Sequence, residues 1–489
     1  MLIRQTLLYL PAQILSPLVQ FASILIWAHL LTPTDLGVVT LLVAMQEVCY
    51  AAFFGWWGMY TLRFIASFVD PQERLAYLRT ETVAILCSSL VQSLVVLPIL
   101  HVAFGHVMSP AVMALALAYM ITRSINYYGA DRARAEARIT LYSLVQIVGP
   151  VIGFLFGLLC IWWFGPSPAA VLTGFLVAQA IGVGLSATMS DFARGIGRAS
   201  PKILKTALTF GGVQTSSQLL AIAAMNMPRF IIGRELGLAA VGMFSVGYSL
   251  GIRASSFAVT LVTAGAYPLV VKKMQTEGRD AAFAQLSKNM VLVALTVAPV
   301  AFGLLAVNRS VVDLLVAEQY RAVTYTVLPL ATMGGLFRYL RAHTSDQVFL
   351  LSLKPQFGTL IAVCDIIVAI ASVYVGIRLF GTPGAALGPM VSGLATFTIS
   401  FALSRFKFGY HAPFAAFSRI LVAALVMCAV VYMLPVAHSL VVLGLYVALG
   451  GVIYVGVVLL AMPREAKALL ALTGKLRSRF GGKAAREKA

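Results

Sequence analysis

Apolar runs of about 20 residues recur along the whole chain, and they decide what it can fold into. A helix needs about 20 apolar residues to cross the hydrocarbon core of a bilayer. Fourteen segments approach or exceed that length: 7–30, 37–61, 82–105, 111–128, 140–163, 169–189, 207–227, 239–262, 289–307, 326–350, 357–379, 384–404, 416–436 and 439–462. In lipid the backbone N–H and C=O groups must be satisfied internally, so spans of this kind are helices. Composition agrees: of 489 residues, 60% are hydrophobic and 11% are charged. Soluble domains carry about 25% charged residues. A chain this poor in charge cannot cover a water-soluble surface. That excludes a soluble enzyme, a disordered chain and a nucleic-acid-binding domain, despite a pI of 9.9. The first span is too long for a signal-peptide core and no small-residue cleavage site follows it, so it is expected to stay.

The connections alternate in charge. One set carries Arg4, the groups around 63–79, 123–138, 194–205 and 272–288, then Lys354, Arg405, Lys407, Arg419 and the basic residues after Met462. The other set carries only Arg229, Arg234, Arg309, Arg321 and Arg378. Basic residues collect in cytoplasmic loops, so both termini are expected in the cytoplasm, as an even number of spans requires. The net charge of +19 then reads as a topology signal that also meets anionic membrane lipid. No loop is long enough to form a domain, so whatever the protein does is done in the membrane or at its faces.

The chain carries a faint copy of itself. Leu31-Thr-Pro-Thr-Asp-Leu-Gly37-Val-Val-Thr40 resembles Leu236-Gly-Leu-Ala-Ala-Val-Gly242-Met-Phe-Ser245 at a shift of 205 residues, which also places Arg74 on Arg279 and Thr82 on Ser287. Spans 1–6 then match spans 7–12. An even number of spans per repeat gives parallel repeats, related by an axis along the membrane normal. The expected architecture is all-α and polytopic, with about 14 membrane helices. Residues 1–205 form one six-helix bundle and 206–410 a second. Residues 411–463 add a helix pair, and 464–489 form a basic cytoplasmic tail. Two bundles flanking a cleft is a transporter architecture rather than an enzyme, with the substrate near mid-membrane.

Ionisable side chains inside spans are costly and face a cavity or a partner. The candidates are Glu47, Arg253, Arg338, Arg341, Asp346 and Asp365. At 100° per residue, Arg338, Arg341 and Asp346 fall in one polar sector of about 140°. Arg253, Arg338 and Arg341, with Arg229 at the outer end of span 7, are the candidate substrate-binding groups, because arginine holds phosphate bidentately and stays charged. The bland alternative is ion pairing within the protein, or headgroup contact for Arg229. Asp346, Asp365 and Glu47 are candidate coupling or ion-pair carboxylates. No metal site and no cofactor is expected, with H⁺ or Na⁺ as the coupling ion if there is one.

Other motifs carry less. Gly247-Tyr-Ser-Leu-Gly251 matches the nucleophile elbow G-x-S-x-G but lies in an apolar span instead of at a strand–helix turn. Gly149, Gly153 and Gly157 are spaced for close helix packing. His101 and His106 are five residues apart and do not share a face as ligands. Cys49, Cys87, Cys160, Cys364 and Cys428 lie singly in apolar stretches and read as packing residues. Gly474-Lys475 and Gly482-Lys483 lack the rest of a phosphate-binding loop, which removes ATP as a direct driver.

The segment Leu30-Leu-Thr-Pro-Thr-Asp-Leu-Gly37 resembles a signature of bacterial polysaccharide transporters of the Wzx type, a lipopolysaccharide biosynthesis flippase family. So do Asn226-Met-Pro-Arg-Phe-Ile-Ile-Gly-Arg-Glu-Leu-Gly237 and Val241-Gly-Met-Phe-Ser-Val-Gly-Tyr248, with Arg63-Phe-Ile-Ala66 and Tyr267-Pro268. These belong to the multidrug/oligosaccharidyl-lipid/polysaccharide exporter superfamily. The resemblance implies a flippase of the bacterial inner membrane. It would carry an undecaprenyl-diphosphate-linked oligosaccharide for O-antigen, exopolysaccharide or capsule by alternating access. A polysaccharide polymerase and a chain-length regulator are the candidate protein partners. One departure is that the family often has an Asp where this chain has Pro228. The alternatives are a cation-coupled multidrug exporter of the same superfamily, or a lipid II flippase. A membrane glycosyltransferase or polymerase would need a sizeable polar loop, and none is present.

Overall fold

In a computed structural model, residues 2–192, 195–263 and 266–462 are described. They form α1 (Leu2–Leu30), α2 (Pro33–Cys49), α3 (Gly55–Phe64), α4 (Pro71–Phe104), α5 (Pro110–Ala135), α6 (Ile139–Phe164), α7 (Pro168–Met189), α8 (Pro201–Glu235) and α9 (Leu238–Thr263). Then follow α10 (Ala266–Thr276), α11 (Arg279–Ala306), α12 (Asn308–Leu315), α13 (Glu318–Ala342), α14 (Ser345–Leu351), α15 (Gln356–Phe380), α16 (Leu387–Phe408), α17 (Phe414–Tyr432) and α18 (Leu440–Ala461). No strand occurs among the described residues. Arg194 and the tail 464–489 lie outside them.

Each of the fourteen apolar segments falls on helix. Nine helical stretches among the described residues are long and apolar enough to cross a membrane: α2–α3, α4, α6, α7, α11, α15, α16 with its lead-in turn, α17 and α18. The starts are written locally. Thr32, Asp70, Ser109 and Ser167 cap α2, α4, α5 and α7 with a side-chain oxygen, and each is followed by a proline at the first helical position. Proline lacks an N–H that the first turn leaves unbonded anyway. A π-helical turn, Tyr50–Phe54, joins α2 to α3. The outer flank of α4 exposes Leu86, Leu90, Leu94, Leu97 and Val102, as a lipid-facing surface should. The C-terminal pair α17 and α18 packs on α11.

The two halves meet where α2 lies along α9 and α3 along α8. A Cβ on Gly37 would sit 1.9 Å from the carbonyl oxygen of Leu238. A Cβ on Gly242 would sit 2.0 Å from the carbonyl oxygen of Pro33. The 205-residue shift carries Gly37 onto Gly242 and Pro33 onto Leu238, so it exchanges these two contacts with each other. A self-complementary contact of this kind is what a two-fold axis produces. The boundary expected at residue 205 falls in the first turns of α8, whose helix begins at Pro201.

The halves differ inside. Gly247 and Gly251 bring α9 onto α13, where their Cβ positions lie 3.0 Å from the Val327 side chain and 2.8 Å from the Leu328 carbonyl. This is the packing role of the G-x-S-x-G sequence. The matching positions on α2 are Leu42 and Gln46, which hold α2 off α5. In α7, a Cβ on Gly174 would be 2.3 Å from the Gly157 amide nitrogen of α6, so the α6 glycines serve close packing.

The Gly37–Gly242 seam gives a test. Gly242→Ala must displace backbone, and overpacking of this kind costs about 1–3 kcal/mol. Thermal unfolding in detergent is expected to fall by several degrees for Gly242→Ala and for Gly37→Ala. Gly444→Ala, which meets nothing within 4 Å, is expected to leave it unchanged.

Candidate functional site

Between α1, α2 and α5–α7 on one side and α8 and α9 on the other lies a partly open cavity, with about 1160 Å³ of atom-free space when its open solvent is included. It occupies the space that the glycines of α9 close in the other half. Among the described residues, its charged lining groups are Glu47, Arg123, Arg229 and Arg253. The formal balance is +2.

Each cation is held by neutral groups. On α5, Tyr119, Arg123 and Tyr127 recur one turn apart and share a face. The Arg123 guanidinium lies 4.6 Å from the Tyr127 ring centre, and its Nε donates to Gln46 Oε1 at 2.9 Å. On α8, Asn226 and Arg229 are neighbours on one face. Arg229 Nη1 donates to Asn226 Oδ1 at 2.8 Å, while Asn226 Nδ2 donates to Glu47 Oε2 at 3.0 Å. Arg229 also lies over Tyr248 at 4.8 Å and reaches Ser245 and Ser249 at 3.3 Å each. On α9, Arg253 donates to Gln20 Oε1 of α1. Among the described residues, none of these three arginines forms an ion pair. Glu47 sits one turn before the π-helical turn, a distortion that often marks functional positions.

Arg338 and Arg341 are not among the residues lining this cavity. They are buried with carboxylates. Arg338 Nη2 pairs with Asp365 Oδ1 at 2.9 Å, Arg341 Nε with Asp346 Oδ2 at 3.1 Å, and Arg341 Nη1 with Asp365 Oδ2 at 3.6 Å. Ser392 and Ser400 complete the cluster. The single polar sector expected for one long span does not form, because the chain leaves helix at His343–Thr344 and Asp346 belongs to α14. Two cations meet two anions there, so the cluster has no charge to offer a ligand.

A second closed network lies at the other end of the first half. Arg132 and Glu81 pair at 2.7 Å, both fully buried, and Asp191 joins Arg132 and Arg74 to it. The contrast decides the site. Arg74, Arg132, Arg338 and Arg341 have carboxylate partners and hold helices together. Arg123, Arg229 and Arg253 have none and face the cavity.

Sequence reading placed Arg253, Arg229 and Glu47 as candidates, and all three line the cavity. It missed Arg123 by grouping it with the basic residues of the next connection, although it lies within the segment 111–128 and well inside α5. The signal was the Tyr119-Arg123-Tyr127 ladder. Among the described residues no group of three or more metal-ligating side chains converges.

Asp365→Asn removes the partner shared by two buried guanidiniums. Breaking a buried pair costs about 3–5 kcal/mol, so a large loss of folded protein is expected on size-exclusion chromatography. Glu47→Gln, which keeps a hydrogen-bonding oxygen for Asn226, is expected to fold normally.

Residues 26–324 match the model of a family described as "polysaccharide biosynthesis protein". No curated protein matches the chain by sequence. Among solved structures, the chain is similar to the lipid II flippase MurJ in an inward closed conformation. The identity is 14%, the TM-score is 0.70, and the match covers 94% of this chain and 98% of that one. It is also similar to an inward-facing multidrug resistance MATE family transporter of the MOP superfamily, at 17% identity and TM-score 0.63, over 82% of this chain and 98% of that one. A Vibrio cholerae MATE transporter matches at 13% identity and TM-score 0.55, over 82% and 96% of the two chains. At these identities the likeness shows the fold.

Proposed function

Starting from a chain that belongs to the polysaccharide biosynthesis protein family and is a multi-pass membrane protein of the MATE and MurJ fold, we propose that it flips an undecaprenyl-diphosphate-linked oligosaccharide across the bacterial inner membrane, with both termini in the cytoplasm. The observation that carries this is the +2 balance of a cavity whose three arginines have no carboxylate partner. A diphosphate diester brings two negative charges. Left in hydrocarbon, it would lose its hydration at a cost of many kcal/mol. Guanidinium groups replace that hydration with charge-assisted hydrogen bonds.

The same balance argues against an organic cation as cargo. Rocking of the two bundles about the α2–α9 seam would alternate access, with the polyprenyl tail left in the bilayer. Glu47, the only acid in the cavity, is the one lining group that could couple the cycle to H⁺ or Na⁺. Surface polymer assembly would place a polymerase and a chain-length regulator downstream.

A strain lacking the gene is expected to lose surface polysaccharide and to accumulate the lipid-linked repeat unit. Complementation with Arg123→Ala, Arg229→Ala or Arg253→Ala is expected to restore at most about a tenth of export, because a hydrogen bond to a charged group contributes about 1.5–3 kcal/mol. Full export with all three variants would remove the cationic cavity from the mechanism. Normal polymer without accumulation, in a strain stripped of similar carriers, would refute the flippase reading. Gradient-dependent dye efflux in that strain would then point to drug export.

A further inference from the structure

The cavity has a second wall that the arginines do not explain. It is built by α1, α5, α6 and α7, and apart from Arg123 on α5 its polar lining groups are uncharged. Its members include Trp27, Tyr119, Asn126, Gln146, Phe175 and Gln179. Asn126 Nδ2 donates to Gln179 Oε1 at 2.6 Å, which fixes both amides on one surface. Tyr119 packs on Phe175 at 5.7 Å, and Trp27 stands edge-on to Phe154 at 5.3 Å.

Three of these lining residues keep a buried polar atom without a partner: Trp27 Nε1, the Tyr119 hydroxyl and Asn126 Oδ1. The residues are 3%, 0% and 4% exposed. Buried polar atoms are nearly always hydrogen-bonded, so three orphans along one wall need a cause. One is a donor, one an acceptor and one can be either. Their natural complement is a set of hydroxyls, each of which donates and accepts. Aromatic faces beside paired amides supply the apolar contact that the C–H face of a sugar ring needs.

We infer that this wall is a glycan subsite, in which Trp27, Tyr119, Asn126 and Gln179 recognise the uncharged sugar attached directly to the diphosphate. The inference rests on the flippase reading and deepens it. The subsite lies in the first half only. The corresponding space in the second half is closed by the glycine contacts of α9 with α13. The wall carries no carboxylate, and the cavity's cations sit with the diphosphate. A neutral hexose or N-acetylhexosamine therefore fits it by hydrogen bonding and stacking.

The test compares binding of a short-chain prenyl diphosphate with binding of the same compound carrying one sugar. Glucose, galactose, N-acetylglucosamine and N-acetylgalactosamine form the panel. The probes are titrated by calorimetry into the purified full chain in nanodiscs. At least one sugar-bearing probe is expected to bind the wild type about tenfold more tightly than the bare diphosphate. Trp27→Phe keeps an aromatic ring and removes the N–H together with the rest of the indole. It is expected to lower that advantage about three- to tenfold, as does Gln179→Ala, with bare diphosphate affinity unchanged. Arg253→Ala is expected to weaken every probe.

If no sugar improves on the bare diphosphate, or if Trp27→Phe and Gln179→Ala leave the sugar advantage intact, the glycan subsite is wrong and the flippase reading stands. If neither the diphosphate nor any sugar-bearing probe binds the wild type, both fall together.

Discussion

A guanidinium inside a membrane protein stays charged, and most of this structure follows from where each one finds compensation. Arginine keeps its proton at any relevant pH, so burial cannot neutralise it. In a low-dielectric interior, it must be matched by a carboxylate, surrounded by acceptors, or placed where water or a ligand reaches it. The chain uses these solutions in different places. Arg338 and Arg341 share Asp365 and Asp346, and Arg132 and Arg74 share Glu81, Glu136 and Asp191. The helices carrying these groups are tied to one another, and such a tie is lost if either partner is removed. Arg123, Arg229 and Arg253 have only amides, hydroxyls and aromatic rings.

Close helix approach decides where that second kind of arginine can exist. Gly247 and Gly251 let α9 touch α13 in the second half. Leu42 and Gln46 stand at the matching positions of α2, and the first half stays open. The halves are nevertheless joined by a contact that obeys the repeat, Gly37 against Leu238 and Gly242 against Pro33. The contact at the seam obeys the 205-residue shift, whereas the cavity is lined by α1, α2 and α5–α7 together with α8 and α9.

Much of this was legible in the sequence. Apolar length found the helices, nine stretches of which are long and apolar enough to cross a membrane among the described residues, and the Thr32-Pro33, Ser109-Pro110 and Ser167-Pro168 pairs stand at helix starts as caps. The repeat expected at a shift of 205 residues was read from Gly37 and Gly242, positions where a Cβ would meet backbone. Pairing was not. A periodicity argument treats 326–350 as one straight helix and so gives Arg338, Arg341 and Asp346 a common face. The break at Thr344 turns Asp346 back onto Arg341, which no periodicity reveals. Arg123 escaped for the opposite reason. It lies inside the apolar segment 111–128, but it was counted with the basic residues of the following connection because Arg132, Arg134 and Arg138 come soon after it.

The neutral partners of the cavity arginines bear on how a cargo is both held and released. A carboxylate beside Arg253 would have to be displaced before a phosphate could bind, and its own charge would be left buried. An amide such as Gln20 or Gln46 orients the guanidinium at little electrostatic cost and can give way to a phosphate oxygen. The cavity therefore keeps its excess positive charge, which Glu47 reduces by one without pairing directly to any arginine. On the proposed function, a bound diphosphate would relieve that repulsion without first displacing a carboxylate.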